Sequence, residues 1–142
     1  MNNLNKKLQI FISSTYNDLR EERQAAVEAI LKAGHIPAGM ELFAAGNESQ
    51  LEVIKNWIKD SDIFLLILGN RYGSIEEKSG KSYIELEYNY AVEKNIPLFA
   101  IVVDENSKKN NRVVSKETPE NIDLLDKFKK LVKSKMVSFF KN

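Results

Sequence analysis

The chain has 142 residues, 43% of them hydrophobic and 29% charged, with a net charge of +1. That is one domain's worth of sequence with enough apolar residues to bury a core, and it lacks the basic excess of a dedicated nucleic-acid binder. It has no cysteine, which excludes disulfides, thiolate metal sites and a thiol nucleophile, and the single His35 argues against a histidine zinc site or a Ser-His-Asp triad.

Leu8 to Ile12, LQIFI, is a short β-branched and aromatic run that predicts a first strand. It ends at Ser13-Ser14-Thr15-Tyr16. Asp18 with Glu21 three residues later reads as a capping box. Leu19, Ala26 and Ile30 then recur at helical spacing, so a first helix covers about 18–33, stopped by Gly34. His35 reads as a turn residue after it. His35 to Phe43 is ambiguous, broken by Pro37 and Gly39, with room for a brief strand around Ile36. Ala44 to Asn47 reads as a loop. Leu51, Ile54, Trp57 and Ile58 set a second helix from Glu48 to about Asp60, with Trp57 as core.

Ile63 to Leu68 has no polar alternation, as in a central parallel strand covered on both faces. A third helix spans Ser82 to Lys94, with Ser82 as its N-cap, Asn95 at its end and Pro97 unable to continue it. Leu98 to Val103 is another uniformly apolar strand. Asp104 to Thr118 is a polar loop in which Val113 and Val114 are the residues able to touch the body. From Pro119, the positions Ile122, Leu125, Phe128, Leu131 and Val132 make a fourth amphipathic helix, and Met136 to Phe140, MVSFF, reads as a last strand.

Strand and helix thus alternate. The expected fold is α/β, a flavodoxin-like three-layer sandwich with a five-stranded, mainly parallel sheet, formed by residues 1–142 as a single domain. With no helix expected after the fifth strand, the sequence reads as the N-terminal domain of a longer protein. The N-terminus lacks the apolar core of a signal peptide, and no run reaches the roughly 20 apolar residues that cross a bilayer. The reading is a cytoplasmic protein that binds neither membrane nor nucleic acid.

Open parallel sheets bind ligands at the carboxyl ends of their strands. Here those ends are Ser13 to Tyr16, Gly69 to Gly73, and Asp104. Ser13, Ser14 and Thr15 offer hydroxyls and backbone N–H groups to a phosphate or ribose, or serve only to cap and turn. Asn70, Arg71 and Tyr72 put a cation and an aromatic beside the same cleft, where Arg71 either clamps an anion or pairs with a neighbouring acid. Arg20 and Arg23 read as solvated surface. No Gly-x-Gly-x-x-Gly or Walker A sequence is present, so the ordinary dinucleotide and ATP motifs are absent.

The third helix carries two acids, Glu85 and Glu87, among Tyr83, Tyr88 and Tyr90. Residues two apart point to opposite sides of a helix. Glu85 shares a face with Asn89. Glu87 shares one with Tyr83, Tyr90 and Ala91 and has the more apolar setting, where a carboxylate's pKa rises. Glu87 is either a reactive acid or a tyrosine-bonded structural one.

The blocks IFISSTYNDLREERQAAVEAILKAGHIPAGMELF, GNRYGSI, SYIELEYNYA and VSFF resemble those of an uncharacterised-domain family. Its members open with a strand, then Ser-Ser-Thr-Tyr-x-Asp-Leu-x-x-Glu-Arg, then Gly-His-x-Pro-x-Gly-Met-Glu. They are often the N-terminal part of STAND-type NTPases, including prokaryotic anti-phage proteins. The family is in turn similar to TIR domains and nucleoside 2-deoxyribosyltransferases, where a strand, a loop and a helix bear a functional glutamate four residues before a small residue. Glu87 and Ala91 match that spacing, whereas Glu85 and Asn89 do not. Ser82-Tyr83 stands where TIR domains often carry an aromatic-cysteine pair.

The resemblance implies a nucleotide N-glycosidase, with NAD as substrate rather than cofactor. Glu87 would be catalytic, and Ser13, Ser14, Thr15, Tyr16, Asn70, Arg71, Tyr72 and Tyr83 would hold the ribose and phosphates, with no metal. The alternative it implies is a non-enzymatic interaction or nucleotide-sensing module. Expected partners are the nucleotide, further copies of the chain, and attached STAND or NTPase domains.

Overall fold

A computed structural model describes residues 6–39, 49–103 and 118–140. Four strands, β1 (Gln9–Ser13), β2 (Ile36–Gly39), β3 (Ile63–Leu68) and β4 (Leu98–Val102), alternate with four helices. The helices are α1 (Arg20–Lys32), α2 (Ser49–Lys59), α3 (Tyr83–Glu93) and α4 (Pro119–Phe140). All strand pairings are parallel, in the order β2-β1-β3-β4.

The pleat sends alternate residues to opposite faces. Ile12 and Ile67, with Ile10 and Leu65 beside them, face α1 and pack with Leu19 and Ile30. Phe11, Phe64, Leu66 and Leu68 face the other way, into a larger core with Ile58 of α2, Ile84, Tyr88 and Ala91 of α3, and Leu125, Phe128 and Val132 of α4. One helix therefore covers one face and three cover the other, a three-layer sandwich. β3, with no polar residue to offer either side, is an interior strand, as its uniform apolarity predicts.

Three expectations are corrected. Met136 to Phe140 is not a fifth strand but the last turns of α4, so the described sheet has four strands. No glycine or proline interrupts 120–140, and extending a nucleated helix is cheaper than starting a strand. Among the described residues, β4 therefore lies at the sheet's edge, with Ile101 and Val102 exposed. Finally, the Asp18–Glu21 capping box does not form. α1 starts one residue later, with Leu19 at the N-cap position and no side-chain cap, because Leu19 is drawn fully into the core.

The other helix ends follow the sequence. Ser82 Oγ accepts from the Glu85 N–H at 3.1 Å, Gly34 leaves α1 with φ +86°, and Asn95 leaves α3 with φ +58°. His35 sits at the exit of α1, where its Nδ1 accepts from the Leu8 N–H. Trp57 is half-buried against the larger core. The loop at 44–47 and the loop at 104–117, with Val113 and Val114, lie outside the described residues.

Candidate active site

The site forms where the two layers meet at the carboxyl end of β1. Odd-numbered residues of β1 face the layer of α2, α3 and α4, so Ser13 points toward α3. Its hydroxyl donates to Glu87 Oε1 at 2.7 Å. Glu87 lies on the same buried side of α3 as Ala91, and is only 7% exposed. Burial pushes its carboxyl up to about 7, against the opposing pulls of the Ser13 hydrogen bond and the Arg23 charge.

Arg23 reaches the same strand end from the opposite layer. It lies on α1 and is 1% exposed, the largest fully buried side chain. Its Nη1 donates to Ser14 Oγ at 2.9 Å and to the Ile12 carbonyl at 3.3 Å. Ser14 Oγ in turn donates to the Thr15 carbonyl at 2.6 Å. A buried guanidinium needs such acceptors, since its loss of hydration is otherwise uncompensated.

The turn after β3 closes the same end of the sheet. Gly73 has φ +97°, and a Cβ there would come within 3.1 Å of Thr15 Cγ2 and 3.3 Å of Ile84 Cδ1. The turn therefore needs glycine for its backbone and for its close approach to the β1 loop. Gly73→Ala is expected to cost about 1–3 kcal/mol, read as a fall in the urea midpoint, by adding strain to both loops. An unchanged midpoint would mean that the loops are not in this contact. Beyond the turn, a 3.0 Å bond from the Tyr83 N–H to the Ser74 carbonyl and the Ile75–Ser82 bridge deliver the chain to the start of α3.

A model of the family described as Domain of unknown function (DUF4062) matches residues 9–142. The chain belongs to this family. No curated protein matches it. Among solved structures, a prokaryotic SEFIR domain shares the fold, with a TM-score of 0.51 at 20% sequence identity. That match covers 88% of this chain and 96% of the other. The likeness supports a TIR-like α/β fold.

In this DUF4062 domain the expected site residues separate into three groups. Ser13 and Ser14 meet Glu87 and Arg23 in the polar cluster, and Thr15 borders it, with a buried hydroxyl that has no hydrogen-bond partner among the described residues. Tyr72 turns inward instead. Its hydroxyl donates to Glu85 at 2.5 Å and its ring packs edge-on to Phe128, so it ties the loop to α3. Burial, with the Glu85 hydrogen bond next, raises its pKa. Tyr16, Asn70, Arg71 and Tyr83 are more open to solvent than the cluster. Tyr16 is exposed beneath the Arg20 guanidinium, Asn70 accepts from Lys129 at 3.4 Å, and Arg71 and Tyr83 are half-buried.

The residue that sequence reasoning placed wrongly is Arg23. Helical arginines are usually solvated, and that prior gave no reason to treat Arg23 differently from Arg20. A usable signal exists in hindsight, because Arg23 follows Leu19 by four residues and so shares the face that buries Leu19. Among the described residues no group of three or more histidine, aspartate or glutamate side chains is arranged to hold a metal ion. No described helix is long and apolar enough to cross a membrane.

Proposed function

We propose that this domain cleaves the N-glycosidic bond of NAD or a related nucleotide, with Glu87 as the reactive acid. The observation that carries the reading is Glu87 itself. It is a carboxyl group nearly closed to water, at the strand ends where such sheets bind ligands, and balanced near neutrality between its charged and uncharged forms. The bond from the ribose C1′ to the nicotinamide nitrogen breaks with both electrons going to the nitrogen. Nicotinamide leaves neutral, and an oxocarbenium-like centre remains. The Glu87 carboxylate stabilises that cation, and water then adds at C1′ and releases a proton. Ser13 orients the carboxylate, and in this reading Thr15, Arg71 and Tyr83 hold the ribose and phosphates. The α/β fold likeness supports this reading, and the resemblance of its sequence blocks to a family that includes STAND-type anti-phage proteins is the ground for proposing a place in phage defence.

Purified protein incubated with NAD, first dilute and then under crowding, is expected to release nicotinamide. Glu87→Gln is expected to lose at least about 100-fold, as expected for removing a charge-stabilising group. Because the carboxylate is the active form, the rate should rise through about pH 7. No release in any assembled state, with Glu87→Gln neutral in cells, would sink the proposal and leave a binding or signalling module.

A further inference from the structure

We infer that Arg23 is the positioning residue of this site: it locks the turn that presents Ser13 to Glu87 and supplies the cation against which a water-excluded Glu87 ionises. Only its consequence for catalysis rests on reading Glu87 as the reactive acid. The first half rests on geometry alone. Arg23 comes from α1 on one face of the sheet and Glu87 from α3 on the other, and β1 ends between them. One Arg23 nitrogen bonds both the carbonyl of Ile12, the residue before Ser13, and the hydroxyl of Ser14, the residue after it. Ser13 is thereby held from both sides in the chain, and its own hydroxyl is free to donate to Glu87.

The charge relation follows from what surrounds Glu87. β1 brings Ser13 and β3 brings only apolar side chains. Glu85, on the same helix, is engaged by Tyr72. Asp18 and Glu22 lie at the start of α1, and Arg23 is the cation that pulls the Glu87 carboxyl down against burial. A guanidinium suits this role because the two hydrogens of one planar nitrogen serve both acceptors at once and the group stays charged when buried. A lysine keeps the charge but not the fixed planar direction of those donors. Arg23 is too deeply buried to grip a ligand, so it acts through Ser13 and Glu87.

The test is a carbon-13 NMR titration of the Glu87 side-chain carboxyl in the wild type, Arg23→Gln and Arg23→Lys. The midpoint is expected to move up by about one to three pH units in Arg23→Gln, the usual effect of an adjacent opposite charge, and by less in Arg23→Lys. The rising limb of the pH–rate profile is expected to move with it. Ser14→Ala removes one acceptor and no charge, so it serves if Arg23→Gln fails to fold. It should broaden or shift the Ser13 and Glu87 resonances without lifting the midpoint as far. A Glu87 midpoint equal in wild type and Arg23→Gln, or Ser13 and Glu87 resonances unmoved by Ser14→Ala, would overturn the inference. A shifted midpoint in a protein that never cleaves NAD would uphold the Arg23–Glu87 coupling and reject the glycosidase.

Discussion

Glu87→Gln is expected to abolish most of the pH dependence of stability between about pH 4.5 and pH 7. The folded protein holds the Glu87 proton up to about pH 7, whereas the ordinary value, and so that of the unfolded chain, is near 4.5. As pH rises through this window the unfolded chain has already released its proton and the folded one has not. The unfolded state then binds fewer protons, and stability falls with pH. The contribution is fully present below 4.5, declines across the window, and is gone above about 7. At 1.36 kcal/mol per pH unit the interval corresponds to about 3 kcal/mol. Glutamine resembles the protonated acid in shape and can still accept from Ser13, but it has nothing to ionise. Urea unfolding at a series of pH values should therefore show a curve for the wild type that falls relative to that of the variant, with the variant the more stable of the two above pH 7. Parallel curves would mean that Glu87 ionises as easily folded as unfolded, and the site would lose its poised acid.

Phe128→Ala should be the most destabilising change in the core, at about 3–5 kcal/mol. Phe128 is 1% exposed and packs edge-on to Tyr88, with ring centres 5.3 Å apart, and to Tyr72 at 6.4 Å. Alanine would remove the ring that joins α4 to α3 and to the loop after β3. Against a total stability of roughly 5–15 kcal/mol, that is a large fraction. The urea midpoint should drop sharply, and amide exchange should quicken along α4 and around Tyr72. Phe128→Leu keeps most of the volume and should cost less. If Phe128→Ala unfolded at the wild-type midpoint, α4 would not be seated on the sheet through this ring.

The effects of these two substitutions differ in how far the sequence foretold them. Phe128 is one of five apolar residues at helical spacing, of which Leu125, Phe128 and Val132 are buried while Ile122 and Leu131 stay exposed, so the stripe gave the buried side of α4 but not its edges. The same helical period placed the four helices, and short apolar runs placed β1, β3 and β4, whereas the segment that forms β2, broken by Pro37 and Gly39, was ambiguous in sequence. The reading failed at Met136 to Phe140, where a local β-preference competed with an uninterrupted helix and the helix prevailed. For Glu87, the helical faces of α3 separated the two acids, and the structure keeps them apart: Glu85 is paired with Tyr72, and Glu87 is buried on the other side. What surrounds Glu87 was read less well. Its face was expected to be tyrosine-lined, yet it is the Ser13 hydroxyl that donates to its carboxyl.

The sequence by itself therefore determined the alternating order, the interior position of β3, the cap and exits of α3, and which glutamate turns inward. These depend on periodicity and on residues near one another along the chain. Only the tertiary structure decided what Arg23 meets on its buried face and that Ser13, Ser14, Arg23 and Glu87 share one strand end. Glu87 lies 74 residues beyond Ser13 in the chain. Arg23 and Glu87 sit on opposite layers, and they act on each other only because a parallel sheet brings the end of β1 between the two helices. No pattern local to either helix records that meeting.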